Sequence, residues 1–138
     1  MRKVLSLLLA TGLLLSACAK FASDPAPKIP PSIQGTWSLV AGRTIYTPKN
    51  GGAATISNRT IVPGSIQVAY GANGSYQSSF NGVVSSTGTY TVNGTNLTIT
   101  TSGSLTSTID ELTTERMVTI VNADFPDYTH QYIDTFER

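Results

Sequence analysis

One cysteine and one histidine in 138 residues leave little material for site chemistry. The cysteine is Cys18, near the front, so the rest of the chain has no thiol for a disulfide or a nucleophile and must be held by packing and backbone pairing. Charge is also scarce, at 12% of residues. Strong helix formers are few, and no stretch repeats apolar residues at the three-and-four spacing of an amphipathic helix. Several activities lose their residue sets at once. There is no Ser-x-Gly elbow after a strand, no acidic pair placed for glycoside chemistry, and "NGG" at residues 50–52 lacks the lysine-serine continuation of a phosphate loop. Asp124 and Asp127 offer oxygen ligands in one loop, but two carboxylates alone are a common surface arrangement. The chain is expected not to be an enzyme and to need no metal or cofactor.

The one long apolar run lies at the front. Arg2 and Lys3 precede residues 4–15, which read as a secretory signal peptide, too short for a stable membrane span. The run ends in "LSAC", which resembles a bacterial lipobox, with cleavage before Cys18 and acylation of that residue. Acyl chains on Cys18 would hold the protein on a membrane. Ala19 is not the aspartate that retains many bacterial lipoproteins at the inner membrane, so the resemblance implies the outer membrane; the expected side is periplasmic, with surface exposure as the alternative. Residues 1–17 are then the signal peptide and 18–32 the lipidated cysteine with a Pro- and Ala-rich tether that buries little. Residues 33–138 suffice for one domain with one core.

That domain is rich in Thr, Ser, Gly, Asn, Val and Tyr, the composition of an all-β chain. Once the signal peptide is gone its charge nearly balances, and no nucleic-acid partner is suggested. The balance is uneven along the chain. Arg43, Lys49 and Arg59 lie early, while Asp110, Glu111, Glu115, Asp124, Asp127, Asp134 and Glu137 lie late, so meeting first and last strands would pair some of them. Alternation and turn chemistry place eight strands, near residues 35–42, 65–70, 75–80, 83–92, 97–101, 105–110, 116–122 and 128–136. Asn81-Gly82 is the strongest hairpin signal, because both central residues of such a turn need positive φ. Eight strands in simple succession predict an up-and-down antiparallel barrel, with a two-sheet sandwich as the alternative.

"GTWSLV", "YGANGSYQSS", "GTYTVNGTNLTIT" and "STIDELTTERMVTI" follow one another in the order and approximate spacing of short bacterial lipocalin-like domains, found in lipoproteins of Bacteroidetes-type bacteria. The chain resembles that family over most of residues 33–120, which implies a calycin-type barrel. By this resemblance Gly35 and Trp37 close one end, with an arginine from a late strand laid over the tryptophan. Arg116 and Arg138 are the candidates, and Arg138 is preferred because the last strand must pair with the first. The segment from Arg43 to Pro63 matches nothing in the family; it reads either as a lid over the opposite, open end or as extra strands continuing the wall.

Alternation puts Trp37 and Leu39; Ile66, Val68 and Tyr70; Tyr76, Ser78 and Phe80; Tyr90 and Val92; Leu97 and Ile99; and Leu105, Ser107 and Ile109 on inward faces. In the last strand Tyr128, His130, Tyr132, Asp134 and Phe136 share one face; turned inward, His130 and Asp134 would each need a polar partner. Tyr46, Tyr70, Tyr76, Tyr128, His130 and Tyr132 are the candidate lining of a ligand cavity. Two functions stay open: a lipid-anchored binder of a small apolar ligand, or a filled barrel whose rim contacts a protein partner, as a peptidase inhibitor or accessory subunit.

Overall fold

The computed structural model describes residues 31–138. The signal peptide, Cys18 and nearly all of the tether lie outside the described residues. Nine strands follow in chain order: β1 (Gly35–Pro48), β2 (Thr55–Thr60), β3 (Ile66–Tyr70), β4 (Ser75–Phe80), β5 (Val83–Asn93), β6 (Asn96–Thr100), β7 (Ser104–Leu112), β8 (Arg116–Asp124) and β9 (Tyr128–Glu137). All pairings are antiparallel, and β9 returns to pair with β1. β1 and β3 to β9 thus close an eight-stranded barrel, which leaves those strands no free edge.

The ninth strand comes from the segment that the sequence left open between lid and wall. β1 is long enough to have two partners on one edge: Gly35 to Ser38 pair with β3, and Ala41 to Tyr46 pair with β2. Its other edge is taken by β9 from Ser38 to Pro48. The chain reverses between β1 and β2 through Asn50, Gly51 and Gly52; Gly51 has φ 83°, and the Asn50 side chain accepts a 3.1 Å hydrogen bond from the Gly52 N–H. No loop lid is formed there.

At the tip between β4 and β5, Asn81 and Gly82 have φ of 49° and 78°, as a two-residue turn closing Phe80 on Val83 requires. A bulge between Leu39 and Ala41 inserts one residue into β1 opposite β9. Because side chains alternate with period two, this shifts the inward set from Trp37 and Leu39 to Gly42, Thr44 and Tyr46. The face of β9 follows from the same register: Phe136 lies opposite Leu39, and Asp134 opposite Gly42, so the Tyr128 to Phe136 face turns inward.

The core gathers at one end, around Trp37, Leu39, Val68, Tyr70, Leu97 and Met117, with Ile33 packed beneath. Trp37, Leu97 and Met117 are fully enclosed. Of the residues expected in the interior, Phe80 and Val92 are 56% and 44% exposed, and Leu105 faces inward but is 53% exposed. They stand at or near strand ends, where the wall no longer has neighbours on both sides. Met117 and Thr119, which no inward assignment had covered, complete the interior from β8.

Arg138 closes this end. Its guanidinium carbon lies 3.9 Å from the centre of the Trp37 ring, and its Nη2 donates to the carbonyls of Ser32 at 2.7 Å and Gln34 at 2.6 Å. The Trp37 indole N–H donates to the Ile33 carbonyl at 2.7 Å. The segment before β1 is therefore strapped across the barrel end by two side chains. Gly35 lies under the same guanidinium with φ 120°, a conformation that disfavours any side chain. Arg116 does not take part; it pairs with Glu111 at 3.2 Å and Glu137 at 3.9 Å.

Candidate functional site

The barrel interior is hollow above the core. A cavity of about 300 Å³ is walled by Ile66, Val68, Tyr70, Tyr76, Ile99 and Phe136, among others. An adjoining cavity of about 290 Å³ is bounded by Gly42, Thr44, Val121 and Tyr132. Arg59, Leu105, Val121 and Asp134 belong to the walls of both.

Tyr70, Tyr76 and Tyr90 form the aromatic side of the interior. The Tyr70 ring centre is 5.6 Å from that of Tyr76 and 4.9 Å from that of Tyr90, and the Tyr90 hydroxyl donates to the Gly71 carbonyl at 3.0 Å. Burial, and to a lesser degree the neighbouring tyrosines, push the Tyr70 phenol well above its ordinary pKa, so it stays neutral. These rings offer polarisable apolar surface and hydroxyl groups, but no base.

The polar element is an ion pair reaching across β1. Arg59 donates from Nη2 to Asp134 Oδ1 at 2.8 Å, although its strand and that of Asp134 do not pair with each other. Gly42 lies between them on β1, opposite Arg59 on one side and Asp134 on the other. With no side chain at Gly42, the guanidinium can lie over the backbone; an added Cβ would come within 2.7 Å of it. Burial raises the Asp134 pKa above the ordinary carboxylate value, and Arg59 opposes part of that rise. This pair and Lys49 with Asp124 at 2.7 Å join early bases to late acids along the β1 and β9 side of the barrel.

The six candidate lining residues do not form one site. Tyr70 and Tyr76 line the inner cavity and Tyr132 the adjoining one. Tyr46, Tyr128 and His130 line neither, because β1 and β9 rise about 3.3 Å per residue and carry them up to the open rim. There they pack with Phe125: ring centres are 5.0 Å apart for Tyr46 and Tyr128, 5.3 Å for Tyr46 and His130, and 4.6 Å for Phe125 and Tyr128. The partner His130 needs is the Tyr132 hydroxyl, 3.0 Å from Nδ1. The partner of Asp134, Arg59, comes from the segment that the sequence left open between lid and wall. Its one sequence signal was an early base facing a late acid.

Exposed apolar side chains collect at the same end. Phe80, Val83 and Val84 form the β4–β5 tip at 56%, 70% and 51% exposure, with Val62 at 70% nearby in the connection to β3. Among the described residues no cluster of three or more His, Cys, Asp or Glu is placed to hold a metal ion.

No family model matches the chain, and no curated protein sequence matches it. Among solved structures, the barrel is similar to the crystal structure of a lipocalin-like protein from Bacteroides uniformis, with a TM-score of 0.51 and 13% sequence identity. The match covers 76% of this chain and 96% of the other. Identity this low carries the architecture alone. The chain has a lipocalin-like fold: a closed, eight-stranded antiparallel barrel, extended by one added strand.

Proposed function

We propose that this protein is a lipid-anchored lipoprotein of the bacterial envelope, held by Cys18 at the periplasmic face of the outer membrane, whose barrel binds a small, mainly apolar ligand. It binds and does not catalyse. The observation that carries the reading is the interior space of about 300 Å³, at the lower bound of small-molecule sites and walled mainly by apolar and aromatic side chains. A filled barrel acting only as an interaction module would have no such volume. The "LSAC" motif supports the anchor.

Native mass spectrometry of the protein, purified from bacterial envelopes after removal of the anchor, tests this. A reproducible small-molecule adduct is expected in the native sequence, and none in Ser107→Phe, which fills part of the cavity. A bare mass, together with failure to take up a fluorescent apolar probe, would sink the ligand reading. It would favour a second one, in which a protein partner covers the exposed tip formed by Phe80, Val83 and Val84.

A further inference from the structure

The polar contents of the cavity walls restrict what kind of head group fits beside them. Arg59 has five N–H donors and Asp134 two acceptor oxygens, whereas the contact between them uses one of each. Among the described residues neither side chain makes another hydrogen bond or ion pair. The spare donors and the spare oxygen sit side by side where the two cavities share their walls. Around them are Leu105, Val121 and Phe136.

The pair carries no net charge. A ligand carboxylate would be drawn to Arg59 and repelled by Asp134, and an ammonium group would meet the reverse. Either would also give up part of its hydration at this mouth, where the Arg59 and Asp134 side chains are 58% and 35% exposed. A group that is uncharged and carries a donor next to an acceptor satisfies both residues and loses far less on leaving water. A carboxamide has this arrangement.

We propose that Arg59 and Asp134, bridged over Gly42, select apolar molecules bearing one uncharged group that both donates and accepts a hydrogen bond, of the carboxamide class. This rests on the reading that the barrel binds an apolar ligand, and it names the chemistry of that ligand. Gly42 is the specificity element, because any side chain there would push Arg59 away from Asp134.

The test uses four probes with one alkyl tail: decanamide, decanoate, decylammonium and decyl methyl ether, the last an acceptor without a donor. Each is titrated by calorimetry into the full chain in detergent at neutral pH, and into the double variant Arg59→Met, Asp134→Leu. Decanamide is expected to bind the native chain about tenfold or more tighter than the other three. In the double variant decanamide and the ether should bind within about twofold of each other, since only apolar contacts remain. Equal binding of all four by the native chain, or an amide preference that survives in the double variant, overturns the inference while leaving a ligand cavity in place. Failure of every probe to bind the native chain overturns the ligand reading and this inference with it. Should the double variant not fold, Arg59→Met alone carries the comparison.

Discussion

Arg138, the last residue of the chain, lies with its guanidinium carbon 3.9 Å from the Trp37 ring centre, while its Nη2 donates to the carbonyls of Ser32 and Gln34 on the strand-leading segment. The contact joins the two ends of the domain across the closed end of the barrel. The backbone N–H of Arg138 donates to the Glu115 carbonyl at 3.1 Å, so the stacked residue is anchored and does not hang free. Replacing it with alanine removes a cation–π contact and two charge-assisted hydrogen bonds.

Arg138→Ala is expected to lower the unfolding free energy by about 2 kcal/mol, with a changed Trp37 emission spectrum in the folded state. Arg116→Ala, which breaks only exposed ion pairs, should cost about 1 kcal/mol or less. Urea unfolding of both variants measures the difference; equal losses would contradict the assignment of Arg138 as the closing residue.

Two glycines in the wall should respond differently to a methyl group. At Gly88 an added Cβ would run into the backbone carbonyl of Thr100, which cannot swing aside. Gly88→Ala should therefore destabilise by about 2 kcal/mol, seen as a fall in Tm of about 10 °C. At Gly42 the obstacle is the far end of Arg59, which can move. Gly42→Ala should cost about 1 kcal/mol or less, yet separate Arg59 from Asp134. In a double-mutant cycle, coupling between Arg59→Met and Asp134→Asn should vanish in the Gly42→Ala background.

Acidic pH provides a third check. Burial raises the Asp134 pKa above 3.8, so between 3.8 and its folded value the native state holds more protons than the unfolded state. Its contribution makes stability fall as pH rises through that window and then level off. Asp134→Asn removes the slope, so the stability of the variant relative to the native sequence should increase with pH across it. Arg59→Met, which removes the opposing charge, should extend the window upward. A relative stability that decreases with pH would refute the assignment.

Filling the interior should separate binding from folding. Ser107 is buried, with only a 3.5 Å contact from its hydroxyl to the Leu97 carbonyl. Ser107→Phe is expected to keep the β-sheet circular dichroism, lose about 1 to 3 kcal/mol to overpacking, and fail to take up the apolar probe. Full probe binding by this variant would place the site elsewhere.

Much of this was legible along the chain. Alternating apolar residues and Asn-Gly turns are local properties, so β3 to β9 and the tip at Asn81-Gly82 follow from period and φ alone. The inward faces of β3, β6 and most of β7 follow in the same way, whereas the place of Trp37 at the closed end followed from the resemblance to lipocalin-like domains, where a large ring close to a glycine suits converging strands. Period two, however, says which residues share a face and not which side that face takes. A single bulge at Val40 changes the parity of half of β1, and the inward turn of β9 depends on which β1 residues it meets, Phe136 opposite Leu39 and Asp134 opposite Gly42. The ion pair is more remote still: Arg59 and Asp134 are 75 positions apart, on strands that never pair, and meet because barrel closure lays β1 between β2 and β9 with a glycine at the crossing. Composition and local pattern determined an all-β chain of successive antiparallel strands; closure alone decided which polar groups share its interior, because only closure fixes the neighbours on both edges of every barrel strand.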